Sequence, residues 1–297
     1  MFKDLTIKPI ENGIGYRGVF NAMASPCEIL IESSNKLLAT ELIEVAYQEA
    51  KRIESKFSRY LVGNVTHTIN HSHGKTIQLD QETAQLIDFA LTCYQLSEHL
   101  FDITSGVLRQ VWHFDGSDNI PSKQQVSSLL KDIGCHKIAW STPFFSMPDG
   151  MEIDLGGIGK EYAIDSCLRK TQAIHADVPI LLNFGGDLIC NGPRLKQQAW
   201  VVGIEQVGNK KNAVIALKKG ALATSGDANR YLYKAGIRYS HILNPMTGYP
   251  VEKAARSVTV AAESCIEAGL LSTMAILQGE QAEAFLADQG IKYWIQQ

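Results

Sequence analysis

The chain has 297 residues, of which 45% are hydrophobic and 20% charged, enough length and apolar content to bury a sizeable core. Its formal net charge of −3 excludes the basic footprint of a nucleic-acid or anionic-membrane binder. Apolar runs such as Val178 to Phe184 are far shorter than the roughly 20 residues that span a bilayer, which excludes membrane insertion by a helix.

The opening Met1-Phe2-Lys3-Asp4-Leu5-Thr6 has no apolar core of a secretory signal. The basic pairs Lys210-Lys211 and Lys218-Lys219 read as solvated faces. Cys27, Cys93, Cys135, Cys167, Cys190 and Cys265 lie far apart with no C-x-x-C pair. That spacing predicts reduced, mostly buried thiols in a cytoplasmic protein.

Residues 14 to 32 alternate loosely and predict strands, with a small-residue kink at Met23-Ala24-Ser25-Pro26. Leu38, Leu42, Val45, Ala46, Ile53 and Phe57 recur near helical spacing, so a long amphipathic helix runs from Asn35 into Phe57-Ser58-Arg59-Tyr60. His67, His71 and His73 follow in a polar loop with no carboxylate or cysteine at ligand spacing. Asp80 is placed to cap a second helix whose Leu86, Ile87, Ala90, Leu91 and Tyr94 share a face.

Phe101-Asp102-Ile103-Thr104-Ser105-Gly106 and Val111-Trp112-His113-Phe114 come next, then a short helix over Gln124 to Leu130 and a strand pair. The centre of the chain, Met151 to Asp165, reads as a short strand ending on Asp154, a glycine-dense turn, and a helix opened by Lys160. Glycines let backbone approach a ligand closely, and the free N–H groups of a helix start favour an anion. The turn fits neither the G-x-G-x-x-G fingerprint nor the P-loop pattern. By itself the stretch reads either as an ordinary tight strand–helix turn or as a seat whose natural guest is a phosphate or pyrophosphate, with a metal.

Beyond it, strands are predicted over Pro179 to Asn183, Trp200 to Glu205, Tyr239 to Leu243 and Ser257 to Ala261. Helices are predicted over Glu263 to Leu277 and Gln281 to Gln289. Long helices and antiparallel-looking strands without a βαβ rhythm predict an α+β fold. No linker composition divides residues 1–297, so one domain is expected. Gly185-Gly186-Asp187, Thr224-Ser225-Gly226-Asp227 and Asn244 to Gly248 share a character with the central turn: small residues and a polar group just after a strand. Such loops suit a pocket for a polyphosphate, its base and a divalent ion on oxygen ligands.

These blocks, in this order, resemble the ApbE family of FAD:protein FMN transferases. Met23-Ala24-Ser25 stands where the family has Met-Gly-Thr. Phe57-Ser58-Arg59-Tyr60 with Asn70 resembles F-S-x-Y…N, although Val65 replaces the usual glutamate. The Phe101–Gly106 and Trp112–Phe114 runs are similar to F-D-x-T-x-G and W-G-F, and Asp154 to Lys160 is similar to the start of D-L-G-G-I-A-K-G. Asn183 to Asp187, Ala223 to Asp227 and His241 to Gly248 complete the resemblance.

The resemblance implies an ApbE-like fold of mixed, largely antiparallel sheet packed with helices. It implies binding of FAD as substrate with Mg²⁺, and transfer of FMN to a Ser or Thr hydroxyl of a client flavoprotein with release of AMP. Met23, Tyr60, Trp112, His113 and Leu243 would line the flavin site, and Asp154 and Lys160 would contact FAD. The Gly157 carbonyl and Thr273 would ligate the metal, and Lys160, Asp227 and His241 are the residues offered for catalysis.

One departure matters. The family reads A-D-A-L-S-T where this chain has Ala268-Gly269-Leu270-Leu271-Ser272-Thr273, so Gly269 takes the place of a metal-binding aspartate. Glu267 lies about 200° round the helix from it and is no obvious substitute. The alternative function is therefore an FAD-binding relative with lost or reduced transfer. If Gly269 marks drift, Gly269→Asp should raise Mg²⁺ affinity; the other account is close packing against a neighbouring element.

Overall fold

Residues 4–11, 13–205, 213–227 and 230–297 are described by a computed structural model; Met1 to Lys3 and the Lys210-Lys211 pair lie outside them. Eight strands form the main sheet: β1 (Thr6–Pro9), β2 (Tyr16–Ala22), β3 (Ser25–Ile31), β4 (Ile180–Phe184), β5 (Asp187–Cys190), β6 (Gly220–Gly226), β7 (Ser257–Ala262) and β8 (Lys292–Gln296). Their order across the sheet is their order along the chain, and every neighbouring pair is antiparallel. The α+β class and the antiparallel sheet expected from sequence are what the structure has.

Two hairpin turns bring chain to one end of this sheet. Phe184 pairs with Asp187 across Gly185 and Gly186, whose φ values of 65° and 102° belong to the tight turn that matches strand twist. Ala22 pairs with Ser25 in the same way, but there Met23 and Ala24 hold φ of 51° and 56° without being glycine. Non-glycine residues in that region are held by their surroundings, and the Met23 N–H donates to the Glu54 carboxylate.

The long passage from β3 to β4 carries helices α1 (Lys36–Phe57), α2 (Val65–Asn70), α3 (Gln81–Leu96), α4 (Lys123–Leu130) and α5 (Gly159–Ile174). Asn35 caps α1 by accepting from the N–H groups of Leu37 and Leu38. Leu42, Ile43, Ala46, Ala50, Ile53 and Phe57 are buried along it, while Leu38 and Val45 are half-buried. The apolar stripe is thus rotated slightly from the predicted one. Asp80 caps α3 as expected, accepting from Glu82 and Thr83. Helices α6 (Cys265–Leu277) and α7 (Ala282–Asp288) join β7 to β8. All six cysteines are buried and unpaired, and no described helix is long and apolar enough to cross a membrane.

Two local expectations are corrected. Residues 151–155 form no strand. Their backbone is instead satisfied by a side chain: Asn70 donates to the Ile153 carbonyl at 3.0 Å and accepts from its N–H at 2.8 Å. The Asp154 N–H donates to the Ile103 carbonyl at 2.8 Å. An amide side chain has one donor and one acceptor edge, so it replaces a strand partner for one residue. His67 belongs to α2 rather than to a loop; its ring stacks on that of His71 at 4.0 Å, and His73 bonds Asp149 at 2.9 Å.

Candidate functional site

A cleft of about 1840 Å³ lies where the β2–β3 and β4–β5 turns, the start of α5, the end of β6 and α6 converge. Drug-sized ligands occupy roughly 300–1,000 Å³, so this space suits a larger guest such as a dinucleotide with a segment of a second molecule. The cleft is lined by Met23, Tyr60, Trp112, His113, Asp154, Gly157, Lys160, His241, Leu243 and Thr273. Residues from blocks far apart in sequence therefore meet in one place. Asp227 is not among those lining it; it is buried behind the wall.

Asp227 organises cations. Its Oδ1 accepts from Arg256 Nε at 2.7 Å and its Oδ2 from Arg238 Nε at 2.7 Å, while Arg238 also donates to the Asp227 carbonyl. Arg238 lies 3.3 Å above the Tyr231 ring, and both arginines face the cleft. A carboxylate holding two guanidinium groups fixes their planes for a ligand's anionic groups.

Asp154 has its own cation. Arg59 Nη1 donates to Asp154 Oδ2 at 2.6 Å, and the Gly156 N–H donates to Oδ1 at 2.9 Å. Arg59 Nη2 also donates to the Tyr60 hydroxyl at 2.9 Å, its guanidinium 5.0 Å from that ring. Tyr60 is otherwise 73% exposed, so the arginine gives its ring a fixed place at the mouth.

Trp112 lines the cleft with one edge and is otherwise core, 3% exposed. Its Nε1 donates to the Gly248 carbonyl at 2.8 Å, and its ring stacks on Phe114 at 5.5 Å. The turn at Asn244 to Gly248, where Leu243 bridges to Pro250, is thereby tied to the Trp112 segment. His241 is half-buried against the edge of Phe114 at 6.2 Å. Its Nδ1 lies 3.2 Å from the Arg230 carbonyl, which only accepts, so Nδ1 carries the proton and Nε2 the lone pair. Burial and then the Arg230 charge hold its pKa below that of an ordinary histidine.

Helix α5 begins at Gly159 with no side chain capping its N-terminus. Lys160 pairs with Asp187, and its Nζ is 3.9 Å from Glu161 Oε1. Burial opposes the charge on Lys160, but Asp187 and then Glu161 outweigh it and raise its pKa above the usual lysine value. Asp187 Oδ1 also accepts from the Thr224 N–H at 2.8 Å. Glu161 is 8% exposed and its Oε2 has no partner. Burial, partly offset by Lys160 and reinforced by Asp187, raises its carboxyl well above the usual carboxylate range.

Across from it, Ser225 Oγ lies 2.8 Å from both Ser272 Oγ and Thr273 Oγ1, and Ser272 Oγ donates to the Gly269 carbonyl at 3.0 Å. Each hydroxyl has one proton, so the chain runs Thr273 to Ser225 to Ser272 to Gly269 and leaves the Thr273 lone pairs for the cleft. Among the described residues no three His, Cys, Asp or Glu side chains gather as a metal cage. A partnerless carboxylate oxygen and oriented hydroxyls fit a hard divalent cation that draws its remaining ligands from carbonyls, water and substrate phosphates.

Sequence reasoning did not single out Arg59, Glu161, Asp187 or Ser225 as site residues. Asp187 and Ser225 sit inside blocks already recognised, and Arg59 occupies the variable place of F-S-x-Y. The signal for Glu161 was a carboxylate where D-L-G-G-I-A-K-G ends on glycine.

The ApbE family model matches residues 23–295. The FAD:protein FMN transferase of Haemophilus influenzae is 26% identical over 255 residues, covering 80% of this chain and 73% of that protein. That of Vibrio cholerae is 25% identical over 265 residues, covering 86% and 78%. The crystal structure of the ApbE protein from Thermotoga maritima superposes with a TM-score of 0.86 at 31% identity, over 95% of this chain and 94% of that one. The apo flavinyl transferase ApbE of Pseudomonas stutzeri, at 21% identity and a TM-score of 0.80, shares the fold. With the cleft assembled from the same blocks in the same order, and the match running from the Met23 turn into β8, the chain belongs to the ApbE family.

Proposed function

We propose that this chain is an FAD:protein FMN transferase, moving FMN from FAD to a Ser or Thr hydroxyl of a client flavoprotein with release of AMP. The observation that carries this reading is the convergence of Met23, Tyr60, Trp112, Asp154, Lys160 and Leu243 on one cleft large enough for FAD and a client segment. Similarity to FAD:protein FMN transferases over most of the chain supports it.

The client's hydroxyl oxygen forms a bond to the phosphorus of the FMN half, and the bond from that phosphorus to the AMP oxygen breaks, its electron pair leaving with AMP. His241 Nε2 faces this task with a lone pair and takes the hydroxyl proton; its lowered pKa keeps it neutral near pH 7. Lys160, at the uncapped start of α5, sets a cation and backbone N–H groups beside the pyrophosphate. Arg59 and Tyr60 form the mouth over the flavin, while Asp227 acts at one remove by positioning Arg238 and Arg256.

Mg²⁺ belongs to this proposal: the Thr273 hydroxyl and the Gly157 carbonyl would hold it, and when bound it would supply neutralisation of charge at the transferring phosphate. The buried, unpaired cysteines support a reducing compartment, the cytoplasm. The test is mass spectrometry of a candidate flavoprotein after incubation with this protein, FAD and Mg²⁺. An added FMN mass is expected; FAD binding without transfer would identify a carrier instead.

A further inference from the structure

Two departures from the family pattern, a glutamate where glycine is usual and a glycine where aspartate is usual, meet in space. A Cβ built on Gly269 would lie 2.6 Å from Glu161 Cγ, 3.1 Å from its Cδ and 3.2 Å from Oε1. Contacts under 3.0 Å are not tolerated by real Cβ atoms, so the Glu161 side chain occupies the space that any residue other than glycine would need. The Glu161 side chain, its Cγ nearest and its carboxyl beside it, thus lies against the position where a side chain at 269 would begin. Close packing against α5 accounts for Gly269 while Glu161 holds this position.

We propose that Glu161, on the first turn of α5, is the anionic ligand of a divalent cation held with the Thr273 hydroxyl, and that Gly269 is glycine to let that side chain through. The proposal deepens the transferase reading and rests on it.

Three observations agree. Glu161 is more than nine-tenths buried, lines the cleft, and has one oxygen with no partner. Ser72 Oγ is the other described buried side-chain oxygen in that condition, and it does not line the cleft. Leaving a buried carboxylate oxygen unpaired is costly, and a hard cation satisfies it. Second, Lys160 is engaged by Asp187 and its Nζ stays 3.9 Å from Glu161 Oε1, beyond hydrogen-bond distance, so the lysine does not satisfy the Glu161 carboxyl. Third, Gly269 lies one turn before Thr273 on the same face of α6, so the Glu161 side chain packed at Gly269 and the Thr273 hydroxyl, whose lone pairs the Ser225–Ser272 chain turns outward, line the same cleft.

The test uses Mn²⁺ as probe, with the free-ion signal followed by electron paramagnetic resonance, on the parent, E161Q, E161G and the exchange variant E161G/G269D. Each is measured with and without FAD, after circular dichroism has confirmed folding. E161Q keeps the shape and removes the charge, so Mn²⁺ affinity should fall by about tenfold or more. E161G should fall likewise, and E161G/G269D should recover most of the loss. G269D alone should unfold at a lower temperature than the exchange variant, because only it sets the two side chains in one space.

Parent-like affinity in E161Q overturns the proposal, as would result from a proton retained between Glu161 and Asp187. So does a parent that binds no Mn²⁺ under either condition. FAD binding by flavin fluorescence without metal, run in parallel, reports on the transferase reading separately: its loss in the parent would count against that reading whatever the Mn²⁺ result.

Discussion

Arg59 holds Asp154 across a gap of 95 residues, Nη1 to Oδ2 at 2.6 Å, with 21% and 27% of the two side chains exposed. The carboxylate that sequence assigned to a ligand is thus already engaged by a cation from the mouth of the cleft. Removing only the arginine strands Asp154 half-buried, with the Gly156 N–H as its remaining donor. Arg59→Met should lower stability by about 1–3 kcal/mol. Combining it with Asp154→Asn should cost less than the sum of the single changes. Urea unfolding of the four proteins completes the cycle, and strict additivity would show the pair to be uncoupled.

Trp112 serves the fold as well as the cleft. Its burial beside Val107, Leu108 and Val126 predicts that Trp112→Ala costs about 3–5 kcal/mol. Trp112→Phe keeps most of the packing and removes the donor to the Gly248 carbonyl, a loss of about 1 kcal/mol. Equilibrium unfolding distinguishes the two. If Trp112→Ala is as stable as the parent, the indole is not the tie between its segment and the Asn244–Gly248 turn.

Lys160 offers a direct measure of ligand recognition. Lys160→Ala should weaken FAD binding by about tenfold, equivalent to ~1.4 kcal/mol, because it removes the cation beside the helix start. Fluorescence titration of FAD gives the affinity. An unchanged value in a folded variant would place the pyrophosphate elsewhere in the cleft.

Away from the cleft, Glu49 sets an acid limit. It is buried in α1, where it accepts from Arg52 and Ser166 and pairs with Lys170. Burial raises its pKa, but Arg52, Lys170 and Ser166 outweigh that and bring it down to about 2. A depressed carboxylate contributes stability that is present above its unfolded value of about 4.5 and lost as pH falls toward about 2. Melting temperatures of the parent and Glu49→Gln should differ most near about pH 7, and the gap should narrow below about pH 4.5 and close only as pH approaches about 2. A constant gap would mean that the charge on Glu49 is not what stabilises this network.

What sequence alone determined is local or ordered. The Asp80 cap, the apolar stripes of α1 and α3, and the glycine pair of the β4–β5 turn follow from short-range rules about backbone and side-chain geometry. The order of the motif blocks was enough to bring out the family, because a shared fold keeps its loops in sequence. Two kinds of fact were out of reach. The 151–155 segment reads as a strand from its alternation, yet its partner is an amide side chain 83 residues away. Gly269 reads as a lost ligand until α5 is laid against α6; only then does Glu161 fill its space, since a contact between residues 108 apart leaves no trace in either helix's own periodicity.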